Sequence, residues 1–156
     1  MKTIFLIIWG LLAQNIYGQI KLEPFRLGIT VKNAEHASNW YQDNLGFTVY
    51  KKMSFPEYDS LKIYFLKQGE FEIDLVEKKT SFSIKELRPD YNLNREPLEG
   101  FYKIVFRIDS LRQTYEKLKK NGVKEIIGLT HDEVFDVDFF MIEDTDGNIL
   151  QFIGHL

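Results

Sequence analysis

The sequence contains no cysteine, which removes disulfides, thiol nucleophiles, thiolate metal ligands and the lipid-bearing cysteine that would tether an exported chain. Histidine is scarce as well: His36, His131 and His155 lie far apart, and no two of them have the spacing of a metal-binding motif. Charge of one sign is missing too. The 20 basic and 23 acidic residues leave a formal charge of −3 and are mixed along the chain, which argues against a phosphate-tracking surface and so against nucleic acid as a partner. No apolar run reaches the roughly 20 residues of a membrane-spanning helix.

The chain does hold a short apolar run near its start. Lys2, then Ile4 to Ala13, then polar Gln14 and Asn15 resemble a secretory signal peptide. Cleavage is expected after Gly18, which makes residues 1–18 a leader and, with Lys2 lost, moves the net charge to −3 − 1 = −4. The expected product is exported, periplasmic or extracellular, with no stable membrane insertion after cleavage. With 156 residues, 44% hydrophobic and 15% aromatic, there is material for one compact domain, residues 19–156, and two independent domains would each be marginal.

Within that domain a unit is written twice. FRLGITVKNAEHASNWYQDNLGF returns as FYKIVFRIDSLRQTYEKLKKNGV. Val31 maps to Ile108, Asn33 to Ser110 and Tyr41 to Leu118, each 77 positions on (108 − 31, 110 − 33, 118 − 41). The same offset joins Arg26 to Lys103, Asp74 to Gln151, and Tyr64 to Met141. Duplication predicts two pseudo-symmetric modules, 24–79 and 100–156, with a cleft between them and a connection over 80–99 that is either a surface linker or a cover for the cleft.

Patterning predicts the elements of each copy. Residues 25–32 alternate as a strand, Asn33 caps a helix whose inner stripe is Ala37, Trp40, Tyr41 and Leu45, Gly46 stops it, and Phe47 begins the next extended run. Residues 58–67 and 71–77 form a hairpin about the turn 68–70. In the second copy 101–108 is a strand, Asp109 or Ser110 caps a helix striped by Leu111, Tyr115 and Leu118, and Gly122 ends it. Strands follow over 123–129, 135–143 and 148–153, the last two joined by Asp144-Thr145-Asp146-Gly147. The fold class is α+β, each module reading β-α-β-β-β.

NWYQDNLGF at 39–47 and EDTDGNILQF at 143–152, in that module order, resemble the helix end and the final turn and strand of the vicinal oxygen chelate superfamily. Its members include glyoxalase I, extradiol dioxygenases and metal-free bleomycin resistance proteins. The resemblance implies two β-α-β-β-β modules whose sheets curl around a shared, glyoxalase-like cleft. It also implies that metal ligands, where a member has them, fall at Arg26, Asp74, Lys103 and Gln151. Guanidinium and ammonium groups offer donors only, so the expectation is a member without the metal site and with no cofactor.

Strand parity places those four residues on the face opposite the apolar rows Leu27, Ile29, Val31 and Ile104, Phe106, Ile108. His155 shares parity with Gln151 if that strand continues. Three functions remain open. The first is a metal-free small-molecule binding protein whose cationic cleft takes an anionic ligand on Arg26, Lys103 and Gln151, with Asp74 as counter-charge and Tyr64 and Met141 as apolar walls. The second is a metal-independent or degenerate enzyme using Asp74 as base. Two flanking cations would then hold that carboxyl below its ordinary pKa and make it a weak base. The third is a structural or interaction module in which Arg26, Lys103 and Asp74 form an ion-paired core. Since both modules lie in one chain, a monomer can complete the cleft, and monomer or homodimer are both open.

Overall fold

The computed structural model describes residues 25–92, 95–96 and 98–156; the leader assigned to 1–18 lies outside them. The first module runs β1 (Arg26–Thr30), α1 (Ala34–Leu45), β2 (Thr48–Phe55), β3 (Leu61–Gln68) and β4 (Phe71–Glu77). The second runs β5 (Lys103–Arg107), α3 (Leu111–Lys120), β6 (Glu125–Asp132), β7 (Val137–Glu143) and β8 (Ile149–Gly154). The connection carries a one-turn helix, α2 (Ile84–Leu87), that patterning did not indicate. Each module makes its own four-stranded sheet, in the orders β1-β4-β3-β2 and β5-β8-β7-β6.

Local chemistry accounts for the helix ends. The Asn33 side chain accepts from the His36 N–H at 2.8 Å, filling one donor that the first turn leaves open. Gly46 adopts φ 74°, the left-handed conformation that closes α1 and that a Cβ would oppose. Ser110 makes no side-chain cap bond at the start of α3. Both helices lie on the apolar faces of their sheets, so Tyr41, Leu66, Ile73 and Leu75 are buried with Leu111, Leu118, Phe140 and Leu150.

The duplication shows in the ladder. Arg26 pairs with Glu72 in the parallel β1–β4 register, and Lys103 pairs with Ile149 in β5–β8, both partners 77 apart (103 − 26, 149 − 72). Asn44 and Asn121, equivalent at the same offset, are hydrogen-bonded to each other at 3.0 Å, which puts them on the pseudo-two-fold axis. The modules are further joined by an edge-to-face contact of Phe71 and Phe106 at 5.6 Å, and by the Tyr41 hydroxyl, which donates to Asp144 at 2.8 Å. The two stretches that carry the family resemblance therefore touch each other, 103 residues apart in sequence.

The offset fails at one strand. Phe65 pairs with Asp74, and Met141 pairs with Gln151, so Met141 answers to Phe65 at 76 positions (141 − 65) and not to Tyr64. The β2–β3 hairpin is one residue longer than β6–β7, and the turn at 144–148 restores the count before β8. Tyr64 pairs with Leu75 and packs against the core under the helices, so it is no wall of the cleft.

Candidate functional site

Of the four positions implied by the resemblance, the structure brings two together. Arg26, on β1, reaches Asp74 on β4 at 3.2 Å, but its principal partner is Glu72, at 2.7 Å from Nη2 and 3.1 Å from Nε. The Tyr50 hydroxyl completes the group: it accepts from Arg26 Nη2 at 2.9 Å and donates to Glu72 at 2.7 Å. The guanidinium also lies over Phe65, 5.0 Å from the ring centroid. Lys103 and Gln151 do not join this cluster. Lys103 is exposed, with its ammonium 5.7 Å from the Tyr102 ring centroid, and Gln151 sits half-buried between Val105 and Met141 in the ladder.

The ionic core expected from three residues is thus a cluster of Arg26, Glu72, Asp74 and Tyr50, formally net negative. Glu72 was legible, since it shares parity with Asp74. Tyr50 was not, because a register shift between Val49 and Lys51 takes it out of the ladder and turns it toward Arg26. His131 lies in β6, beyond the strand expected over 123–129, with Nδ1 3.0 Å from Asp138, and His155 is exposed beyond β8.

The electrostatics also differ from expectation. Burial pushes the Asp74 carboxyl above its ordinary pKa, and the pull of Arg26 only partly offsets this. One cation flanks Asp74 instead of two, and that cation is shared with Glu72. Asp74 Oδ1 is close to Arg26 Nε yet off the N–H direction, so this buried oxygen has no hydrogen-bond partner among the described residues. Glu72 goes the other way: hydrogen bonds from Tyr50 and Arg26 hold it below the usual carboxylate range.

Opposite pH dependence follows for the two acids. A carboxyl whose folded pKa is raised favours the fold at low pH and loses that contribution as pH rises through the folded value. Asp74→Asn should therefore be no less stable than the parent at pH 7, its advantage shrinking as pH falls toward the ordinary aspartate range. Glu72→Gln should be less stable at pH 7, its deficit vanishing as pH falls below the ordinary glutamate range. Urea unfolding of both variants from pH 7 down to about pH 2.5, below the ordinary values of both carboxyls, checks this, and a large neutral-pH loss for Asp74→Asn would contradict it.

A divalent metal does not fit these residues. Arg26 and Lys103 present only N–H donors, and Asp74 is already engaged by a guanidinium. Among the described residues no group of three His, Cys, Asp or Glu side chains is disposed to hold a metal ion.

A second feature lies between the modules. A groove of about 1240 Å³ is bounded by β1, the start of β5, the turn 144–148 and the connecting segment. Lys103 lines it, whereas Arg26, Asp74, Gln151, Tyr64 and Met141 do not. The connection, left open between linker and cover, contributes Phe82, Tyr91 and Leu98 to this wall, joined by Phe101 and Tyr102 at its end. Two of the groove's lysines are paired, Lys32 with Glu86 at 3.8 Å and Lys124 with Glu143 at 2.5 Å. Among the described residues the other four, Lys78, Lys79, Lys85 and Lys103, have no carboxylate partner.

Solved structures with this architecture include a glyoxalase family protein from Enterococcus faecalis, 22% identical with a TM-score of 0.70, the alignment covering 84% of this chain and 96% of that one. Glyoxalase I from Zea mays is 17% identical with a TM-score of 0.66, over 83% of this chain and 43% of the maize protein. TioX from Micromonospora sp. ML1 is 12% identical with a TM-score of 0.60, over 86% and 99% of the two chains. At these identities the likeness shows the fold. No curated protein matches the sequence. The family model described as Glyoxalase/Bleomycin resistance protein/Dioxygenase superfamily matches residues 24–152, and the chain belongs to that superfamily.

Proposed function

We propose that the chain is a metal-free small-molecule binding protein that holds an amphipathic organic anion in the groove between its modules. The observation that carries this is the composition of the groove wall: aromatic Phe82, Tyr91 and Tyr102 beside Lys85 and Lys103, two cations without carboxylate partners among the described residues. Aromatic faces supply apolar contact area, and an ammonium supplies a charge-assisted hydrogen bond to a carboxylate, phosphate or sulfate. The cationic cleft anticipated around Arg26 thus moves to Lys103 and the connection, since Arg26 is engaged by Glu72 and Asp74.

A thermal-shift and calorimetric screen of aromatic carboxylates against matched amines tests the proposal. Carboxylates should bind saturably and amines should not, and Lys103→Gln should weaken the carboxylates about tenfold, roughly 1.4 kcal/mol. Equal binding of amines, or no effect at Lys103, would refute the site. Stoichiometric zinc, iron, manganese or nickel in protein purified without chelator would refute metal independence. Export rests on the composition of residues 1–18; amino-terminal sequencing of protein from fractionated cells should find a chain beginning at Gln19.

A further inference from the structure

The groove is bounded by strand edges as well as side chains. Consecutive residues from Leu27 to Lys32 line it, which a strand permits only when its edge, and not one face, is turned to the space. In a parallel ladder alternate residues direct their N–H and C=O groups to the same neighbour. The Val31 N–H donates to Val76 of β4 at 2.9 Å, so Leu27, Ile29 and Val31 point to β4 while Gly28 and Thr30 point away. The next outward donor, the Lys32 N–H, is taken by the Asp146 carboxylate at 2.7 Å. The Ile108 N–H donates to Ile153 at 2.9 Å, which by the same alternation turns Lys103, Val105 and Arg107 away from β8.

Along β1, therefore, main-chain groups without a partner among the described residues border the groove, and the start of β5, at Lys103 and Ile104, borders the same space. β1 and β5 are not hydrogen-bonded to each other, and along most of their length their Cα atoms stand more than 8 Å apart. Paired strands lie about 4.8 Å apart, so a strand between two edges needs about twice that. Gly28 and Thr30 are both exposed, and a Cβ built on Gly28 meets nothing within 4 Å, so neither solvent access nor the sheet face at Gly28 is blocked. Lys78, Lys79, Lys85 and Lys103 line the space without a carboxylate partner among the described residues, and at Lys32 the chain itself shows a carboxylate capturing an outward N–H.

We propose that the groove takes a short extended peptide carrying a carboxylate, which adds as a strand to the outward edge of β1, with Gly28 and Thr30 supplying the main-chain hydrogen bonds and Lys103 or Lys85 the counter-charge. The peptide's own N–H and C=O groups satisfy edge groups that would otherwise depend on water, the general basis of recognition by strand addition. This rests on the groove as the ligand site and narrows its ligand from organic anions in general to peptides.

The test uses the full chain with three probes: acetyl-Val-Thr-Val-Thr-Glu, the same peptide N-methylated along its backbone, and 2-naphthoate as an anion without a peptide backbone. Calorimetry should show saturable binding of the first peptide and at least tenfold weaker binding of its methylated form. Amide exchange at Gly28 and Thr30 should slow at least tenfold in the complex. Thr30→Pro removes an N–H that no ladder bond uses, so it should keep the circular dichroism and melting temperature of the parent and lose the peptide. Should that variant not fold, methylation and exchange still decide. If naphthoate binds and the peptide does not, or the peptide binds without slowing exchange, the inference fails while the anion site stands. If neither binds, both fail. Gly28 and Thr30 amides already protected in the free chain would also overturn it, because the edge would then have an occupant of its own.

Discussion

Asp144→Ala is expected to cost about 3–5 kcal/mol of stability, because it strands several donors at about 1–3 kcal/mol for each one that stays buried. Asp144 is 7% exposed and accepts from Tyr41 Oη at 2.8 Å, Asn148 Nδ2 at 2.8 Å, and the N–H groups of Asp146 and Asn148 at 2.9 Å each. Its loss leaves those donors without an acceptor, and the Tyr41 hydroxyl, on a fully buried residue, has no water to turn to. Because Tyr41 belongs to the first module and Asp144 to the second, the loss is expected in a single cooperative transition seen equally by fluorescence and circular dichroism. Tyr41→Phe removes one donor and keeps the turn's own three bonds, so about 1.5–3 kcal/mol is expected, the value of a hydrogen bond to a charged group. Burial and then Asp144 raise the Tyr41 pKa above its ordinary 10.0. The folded chain therefore holds the phenolic proton more tightly than the unfolded one, and stability falls as pH rises beyond that value. The parent should lose stability above about pH 10 in a way that Tyr41→Phe does not; parallel pH curves for the two would show that the hydroxyl is not the link.

The same pair marks what was legible in the sequence. Both stretches stood out on their residues, yet neither indicated the other, because a contact between a helix stripe and a turn 103 positions on leaves no periodic trace. Local signals did well where local physics decides: the Asn33 cap, the left-handed Gly46 and the alternation of β1 are all present. The repeat placed Arg26 and Asp74 on one side of adjacent strands, and they meet. Its limit was the assumption of a constant offset, which one residue in a hairpin undid, sending Tyr64 into the core and putting Phe65 under Arg26. The groove was least visible. Its wall includes the aperiodic connection, whose Phe82, Tyr91 and Leu98 carry no pattern by which to place them, and its edges are main-chain groups, which side-chain identity does not report.

Gly154→Ala is expected to destabilise the fold by about 1–3 kcal/mol, as overpacking against a fixed neighbour does. A Cβ at Gly154 would lie 2.3 Å from the Ile108 carbonyl oxygen and 3.4 Å from Leu111 Cβ. The first is main chain, tied into the sheet through the Ile108 N–H bond to Ile153, and cannot rotate aside. The equivalent residue 77 positions earlier (154 − 77) is Glu77, whose carboxylate accepts from the Ala34 N–H at 2.9 Å and pairs with Lys62 at 2.7 Å. In the first module, then, a long side chain at the end of β4 satisfies the start of α1. In the second, the absence of any side chain lets the end of β8 close directly on the start of α3, where Leu111 is fully buried. One duplicated position has reached two solutions, and each excludes the other: alanine is too large at 154 and too short at 77. Glu77→Ala should accordingly also destabilise, by leaving the Ala34 N–H and Lys62 without their acceptor, while Glu77→Gln should recover part of the loss by accepting from Ala34. Urea unfolding of the three variants decides the matter, and an unchanged midpoint for Gly154→Ala would show that the strand end yields where the packing says it cannot.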